Sequence, residues 1–483
     1  MIKNKKIIMI IQARLGSKRL PRKAILPLVN KLSILEFLIN RLKLVKRVDD
    51  IFLATSNRKE NDLLVRIAKK LKINFHRGSE HNVIKRFYDI SKNENADIII
   101  RICADNPLID PFFIDRLILK FINNSHFGHL STYHKPSVPY GSGCAIFNFE
   151  TLHYIYEKYK NDKITLEHVE PRMLSSKKIK TYFFKTNDPR MHLPNLNLSI
   201  DNYWNYEYVK GLSQYLYNKY NYQFSIKEIV NTVTKPKIGI FANGLLGKKA
   251  LMFFKSLNLK FEFIVHHPTE KAYLLKDIIK ISKLKKERLF SYDKIVSNPR
   301  LLDKFDPLIG FSFWSSFIIP KSILNKFPLG IYNLHNSVLP SLRGSGANIW
   351  SILKEIKPGA SLHKIDEKID KGYLIEYKEF NISFMDDGYS LFIKQHKAMI
   401  NLLKKNFYKL LYGNHRYIHS SYQDSFYTKA ERDKFKLIKY NDYFRAKSFF
   451  NILRAYQFSS SDSAIYLDEE NKKWSISIKI KKY

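Results

Sequence analysis

Three side chains set two residues apart, Asn333, His335 and Ser337, follow a short apolar run over residues 329–332. The run reads as a buried strand. Alternate side chains along a strand share a face, so the three are expected to project together where it ends. An amide, an imidazole and a hydroxyl converging there suit acyl transfer. The amide donates to a developing oxyanion, and the imidazole takes a proton from the attacking nucleophile. Such an imidazole needs a carboxylate to hold it, and Asp370, in the run Asp-Lys-Gly, is the candidate. Each residue taken singly has a plainer reading. A histidine after a strand is more often packed in a core, Asp370 before Lys371-Gly372 could make a turn, Arg343-Gly344 could open a helix, and Trp350 could fill a core.

A second set lies near the start. Residues 7–11 are continuously apolar and lead into Gln12-Ala13-Arg14-Leu15-Gly16-Ser17-Lys18-Arg19-Leu20-Pro21-Arg22-Lys23. A loop at the carboxyl end of a first strand is where α/β sheets bind ligands. Gly16 lets the backbone approach a phosphate and Ser17 adds a hydroxyl donor. Arg14, Lys18, Arg19 and Lys23 could offset the charge of a triphosphate. A solvated basic loop is the plainer reading, but Gly-Ser and Leu-Pro inside it argue for a built site.

The elements that must position both sets follow from the pattern. Apolar runs at residues 7–11, 50–54 and 96–103 read as parallel strands, with helical periodicity over 32–45 and 62–71 between them. Strands alternating with helices imply an α/β parallel sheet, continuing to about Val233. Thr234-Lys235-Pro236-Lys237 breaks the pattern, and a fresh strand at 238–241, a turn at Asn243-Gly244 and a helix from about Gly247 open a second α/β domain. A helix over 389–411 ends it, and polar residues including Ser420, Ser421 and Gln423 follow. The last stretch reads as a hairpin, residues 464–467 against Trp474, Ile476, Ile478 and Ile480. The expected domains are 1–233, 237–412 and a small β-rich appendage over 430–483.

Composition narrows the function classes. A chain of 483 residues suggests about three domains, and 45% hydrophobic content with 14% aromatics is globular. The net charge of +39 is compatible with nucleic acid, an anionic membrane or polyanionic small substrates. The lysines are scattered and not gathered on one stripe, which favours a generally basic surface. Two cysteines, Cys103 and Cys144, form neither a disulfide framework nor a metal-ligand spacing, so a cytoplasmic setting is expected. No stretch approaches the roughly 18 apolar residues of a spanning helix.

The first 225 or so residues resemble the cytidylyltransferase family that includes spore-coat polysaccharide proteins and synthetases of CMP-activated acidic sugars. The family opening, Ala-Arg-x-Gly-Ser-x-Arg-Leu-Pro-x-Lys, is present in full, followed by Ala54-Thr55-Ser56, Arg77-Gly78-Ser79, the stretch Asp105-Asn106-Pro107-Leu108-Ile109-Asp110, Glu167-His168-Val169 and Leu198-Ser199-Ile200-Asp201. The resemblance implies CTP as substrate, a loop in which Arg14, Gly16, Ser17, Arg19 and Lys23 bind nucleotide, and Mg²⁺ held by Asp105 and Asp201. Alone, Asp105 would read as a turn and Asp201 as a helix cap. Asp110 fits a cap on the helix after Pro111, and Glu167-His168 could touch an acceptor. One departure is Gly141-Ser142-Gly143-Cys144-Ala145-Ile146-Phe147, where relatives often carry a glutamate. Cytidine over another base rests on the resemblance alone.

Residues 237–410 resemble the formyltransferases that use 10-formyltetrahydrofolate, through Asn-x-His-x-Ser-x-Leu-Pro, Arg343-Gly344 and Asp370-x-Gly372 in family order. This resemblance implies a catalytic set of Asn333, His335 and Asp370, and a folate surface at Ser337, Leu339 and Asp366. Val338, Asn348 and Lys371 depart from common family residues without removing a reacting group. Together the resemblances imply two Rossmann-like α/β domains, nucleotide-diphospho-sugar transferase-like then formyltransferase-like. The expected protein is a bifunctional enzyme of surface-glycan biosynthesis that transfers CMP to a sugar and formylates an amino sugar. A methionyl-tRNA-type formylation factor with a degenerate first domain is the alternative. The expected partner is a sugar or nucleotide-linked amino-sugar substrate, with a homo-oligomer compatible and neither membrane nor nucleic acid called for.

Overall fold

The computed structural model describes residues 5–124, 126–134, 136–313, 317–458 and 463–480. The chain forms two compact units, Met1–Lys235 with Leu411–Asn414, and Pro236–Leu410 with His415–Tyr483.

Among the described residues the first unit holds a seven-stranded sheet of β1 (Ile7–Gln12), β2 (Asp50–Ser56), β3 (Asn74–Gly78), β4 (Ile98–Cys103), β5 (His129–Ser131), β6 (Ala145–Asn148) and β7 (Thr181–Phe183). Its order is β3-β2-β1-β4-β6-β5-β7. Strand β1 is central, and every residue from Ile7 to Ile11 is buried, as an apolar run covered on both faces requires. It pairs in parallel with β2 on one side and β4 on the other, so the direction of winding reverses between β1 and β4. Their carboxyl ends, Gln12 and Cys103, therefore open the crevice in which such sheets bind ligands.

The helix Ile34–Leu42 starts on a capping box in which Ser33 and Glu36 satisfy each other's backbone N–H groups. Asp110 caps the helix Pro111–Ile122, accepting from Phe113 N at 3.0 Å and, with its other oxygen, from Ile226 N at 2.8 Å. It is a structural residue, close to the buried Arg41, which donates to the carbonyls of Ile109, Tyr222 and Phe224.

The second unit repeats the parallel scheme with β8 (Ile238–Ala242), β9 (Phe261–His266), β10 (Leu289–Ser291), β11 (Ile309–Phe313) and β12 (Ile331–His335). A short strand, β13 (Arg343–Gly344), leaves the sheet, and β14 (Gly359–Lys364) and β15 (Tyr373–Glu379) return to it, giving the order β10-β9-β8-β11-β12-β14-β15. The β12–β14 pairing is antiparallel, with Asn333 opposite His363 and His335 opposite Ser361. Phenylalanines dominate the core on one face, among them Phe241, Phe263, Phe290, Phe305 and Phe327. The helix after Asn243 begins at Gly244, three residues before the expected start.

The polar stretch after the long helix Gly388–Leu411 contains β16 (Phe426–Tyr427), which pairs with β13. Beyond it β17 (Leu437–Lys439), β18 (Ala464–Leu467) and β19 (Lys473–Ile476) form a small sheet beside the helix Ala446–Ala455. The expected hairpin is there, but its second arm stops at Ile476, so Ile478 and Ile480 lie past the strand, and β17 adds an edge that alternation did not reveal. Ile438, Ile452 and Leu453 share one apolar core with Ile349, Ile352 and Leu391, which lie earlier in the second unit. The appendage is thereby part of the second unit.

Candidate active sites

In the first unit the loop after β1 closes on itself where Arg22 N and Ser17 N both donate to Leu15 O, at 3.1 and 2.9 Å. Its basic side chains meet the acids at the ends of other elements. Lys23 Nζ lies 2.6 Å from Asp105 Oδ2, 2.9 Å from Ile200 O and 3.9 Å from Asp201 Oδ1. Arg19 Nη2 donates to the same Asp201 oxygen at 2.7 Å. Asp105 O accepts from Ile200 N at 2.9 Å, which ties the two acid-bearing segments together. Gly141, at φ +88°, passes so close to that segment that a Cβ would stand 2.9 Å from Ser199 N.

Arg14 points elsewhere, to Glu80 Oε1 at 3.3 Å, and a Cβ on Gly16 would come 3.4 Å from that oxygen. Burial alone would raise the Glu80 carboxyl, but the Ser56 hydroxyl and Arg14, Arg58 and Arg86 hold it below the usual range. Lys18 is exposed. The loop's cations therefore divide into two groups, Arg19 and Lys23 on the Asp105–Asp201 pair and Arg14 on Glu80.

Sequence reasoning missed Glu80, though it directly follows the singled-out Arg77-Gly78-Ser79. It also missed Glu170, which is buried. Glu170 accepts the Ser131 hydroxyl and Arg101 Nη1 at 3.4 Å, and His129 Nε2 stands 3.4 Å away. Burial would raise this carboxyl, yet His129, Arg101 and Ser131 keep it ionised. Arg101 extends on to Gln12 Oε1 at 3.5 Å, linking the network to the end of β1. Glu167 and His168 are exposed instead. Cys103 ends β4, and burial pushes its thiol up to about 11, which disfavours the thiolate.

Among the described residues no group of three or more His, Cys, Asp or Glu side chains could hold a metal. Asp105 and Asp201 are two carboxylates that flank the Lys23 ammonium at 2.6 and 3.9 Å. That donor set fits Mg²⁺, which takes one or two carboxylates and completes its shell with water and substrate phosphates.

In the second unit β12 delivers Asn333 and His335 to the carboxyl edge of the sheet. Ser337, expected beside them, lies past the strand's end, where its buried hydroxyl donates to Ser341 O at 2.5 Å. The loop is braced from β14, since Ser361 Oγ donates to Ser337 O at 2.7 Å and accepts from Leu339 N at 3.0 Å. Leu339 is buried, and Asp366 accepts from Lys368 N at 2.9 Å.

His335 presents both ring nitrogens to oxygen. Nδ1 is 3.6 Å from Asp370 Oδ1, and Nε2 is 3.2 Å from Leu342 O. Asp370 sits in the left-handed region at φ +51°, a conformation Asp tolerates better than most residues. Gly372 follows because a Cβ there would lie 1.7 Å from Lys364 O. Burial would raise the Asp370 carboxyl, but His335, His363, the Gly344 N–H and Arg343 hold it below the usual range.

Two further parts escaped the sequence reading. His363, on β14, lies 3.8 Å from Asp370 Oδ1 and accepts from Asn333 Nδ2 at 3.0 Å; burial pushes it down to about 4, so it is neutral. The polar stretch after the long helix, to which the sequence assigned no element, is a strap along the loop that follows β12. Ser425 Oγ accepts from Leu342 N at 2.8 Å, Ser425 O from Arg343 N at 2.8 Å, and Asp424 Oδ1 from Arg343 Nε at 2.7 Å. Trp350, buried as the plainer reading had it, stacks on Tyr427 of β16 with ring centroids 4.2 Å apart. Arg343-Gly344 opens no helix but forms strand β13 against that strap.

The comparisons with known proteins follow the two units. Residues 8–228 match the cytidylyltransferase family model, residues 296–405 the formyl transferase model and residues 431–482 the N-formyltransferase dimerization C-terminal domain. The spore coat polysaccharide biosynthesis protein SpsF of Bacillus subtilis is 30% identical over 213 residues, 43% of this chain and 86% of that protein. GDP-perosamine N-formyltransferase of Brucella melitensis is 34% identical over 100 residues, 20% of this chain and 39% of that protein. A solved cytidylyltransferase from Leptospira borgpetersenii is 28% identical with a TM-score of 0.45, over 48% of this chain and 95% of its own. The chain belongs to the cytidylyltransferase family through its first unit and carries in its second a formyltransferase domain with that enzyme's C-terminal domain.

Proposed function

We propose that the chain is a bifunctional enzyme of surface-glycan biosynthesis that transfers CMP from CTP to a sugar in its first unit and formylates a sugar amine from 10-formyltetrahydrofolate in its second. The observation that carries this reading is that Asn333 and His335 end one strand, with Asp370 3.6 Å from His335 and 3.8 Å from the His363 ring that Asn333 bonds. A nucleotide loop, meanwhile, meets two carboxylates at the switch point of a different sheet.

For CMP transfer, the backbone at Gly16 and Ser17 would approach the phosphates, while Arg19 and Lys23 take their charge. Asp105 and Asp201 would hold Mg²⁺, which supplies charge neutralisation at the α-phosphate. Arg14 and Glu80 would shape the floor of the loop.

For formyl transfer, His335 takes the proton of the attacking amine, Asp370 and the Leu342 carbonyl stabilise the imidazolium, and Asn333 donates to the oxyanion. The folate surface is the loop of Ser337 and Leu339 with Asp366. Because the Ser337 hydroxyl already donates to Ser341 O, its part is to shape the loop.

The C-terminal appendage would pair two copies of the chain. Its apolar groove of about 510 Å³, lined by Ile438, Tyr440, Phe444, Phe449, Tyr466 and Ile476, and the dimerization domain it matches support this. No described helix is long and apolar enough to cross a membrane.

The test combines CTP, Mg²⁺ and a panel of acidic sugars and follows pyrophosphate. Release that Asp105→Asn abolishes while formyl transfer persists is expected. Silence across the panel, or one substitution silencing both activities, would refute two independent sites.

A further inference from the structure

Lys23 occupies the place a divalent cation would need. Its ammonium touches one oxygen each from Asp105 and Ile200 at 2.6 and 2.9 Å and stands 3.9 Å from Asp201. Two of its donors are taken by Asp105 and Ile200, and the Asp201 carboxylate stands close enough to add charge without a hydrogen bond. The side chain is only 17% exposed, and Arg19 adds a second cation on Asp201 at 2.7 Å. Ile200 N bonded to Asp105 O at 2.9 Å ties the two acid-bearing segments together around the lysine.

We propose that Lys23 is the resident cation of this site and makes metal and nucleotide binding interdependent. The inference rests on the nucleotidyl-transfer reading and adds an order of events to it. A divalent ion arriving alone meets a like charge already bound between its two carboxylates, and it can enter only by pushing the ammonium into solvent without a partner. A triphosphate changes the balance, because its oxygens accept the displaced ammonium in charge-assisted hydrogen bonds and complete the shell of the ion. Lys23 thus moves from the acids to the phosphates as the metal enters, and the nucleotide-free protein is poorly receptive to divalent ions.

Binding of Mn²⁺ alone to the full chain, followed by electron paramagnetic resonance of the free ion, tests this without turnover. Wild type binds Mn²⁺ weakly, and CTP strengthens the uptake beyond that of CTP by itself. Lys23→Met without nucleotide binds Mn²⁺ at least about tenfold more tightly than wild type, a modest figure for removing a competing charge from a partly solvated site. Adding Asp105→Asn removes the gain and assigns it to this pair. Lys23→Gln keeps a polar side chain without the charge and serves if the methionine variant does not fold. Uncharged variants that bind Mn²⁺ no better than wild type overturn the proposal while leaving metal-dependent transfer standing. A wild-type protein that takes up no Mn²⁺ even with CTP overturns both.

Discussion

Asn333 and His363 face each other in register across two antiparallel strands, and the asparagine Nδ2 donates to the histidine Nε2 at 3.0 Å. The bond fixes which way the amide points. A neutral ring can accept it, and burial keeps His363 neutral by pushing it down to about 4. The second N–H of Asn333 is then directed by the first, which is how an oxyanion donor is preorganised. Asn333→Ala should cost about 10²–10³ in kcat for formyl transfer. His363→Ala should lower kcat by a smaller factor, with KM nearly unchanged, because it frees the amide and leaves the donor present. A His363 variant with wild-type kcat would show that the amide is held in place by something else.

The strap gives a second expectation. Leu342 N and Arg343 N both bond to Ser425, and Arg343 reaches Asp424. Ser425→Ala removes one acceptor from a partly buried N–H, worth about 1 kcal/mol. Because the bond lies next to the carbonyl that His335 contacts, formyl transfer should fall more than thermal stability does, while CMP transfer is untouched. Equal activity with a lowered melting temperature would make the strap a stability element only.

In the first unit Gly141 is the point of closest backbone approach. Gly141→Ala places a Cβ 2.9 Å from Ser199 N at a φ of +88°, both unfavourable. The cost should be about 1–3 kcal/mol. The segment that moves carries Asp201, so pyrophosphate release should fall sharply and formyl transfer should not. Crystals of the variant with Asp201 unmoved would contradict this.

Acid should weaken the second unit. His363, His396 and His415 are each buried and pushed down to about 4 by desolvation. Between about pH 6.5 and 4 the unfolded chain binds protons at these rings and the folded chain does not, so stability falls as pH falls. The contribution is on the order of 2 kcal/mol per ring by pH 4.5. Calorimetry across this window should show a melting temperature that drops toward acid, and His396→Leu should flatten the slope. A slope identical to wild type would place the acid sensitivity elsewhere.

The two α/β halves were legible because apolar runs such as Ile7–Ile11 admit few other structures, and because the candidate site residues stood at fixed spacing on or just past strand ends. Partners supplied across the fold were hidden. His363 becomes visible only once β14 is set antiparallel to β12, and Glu170 only once Ser131, Arg101 and His129 surround it. Period-two alternation carried Ser337 onto the face of Asn333 and His335, but the strand ends at His335 and the hydroxyl turns into the loop. The strap showed no pattern because Ser420, Ser421 and Gln423 are simply polar, and its bonds run to a loop some eighty residues earlier.

Mass spectrometry of the chain with 10-formyltetrahydrofolate and pooled nucleotide-linked amino sugars, run beside His335→Ala, tests the central claim most directly. The account predicts one formyl group gained on a sugar nucleotide and no gain with the variant. Formylation of methionyl-tRNA with no sugar in the pool modified, or a His335 variant as active as wild type, would contradict it.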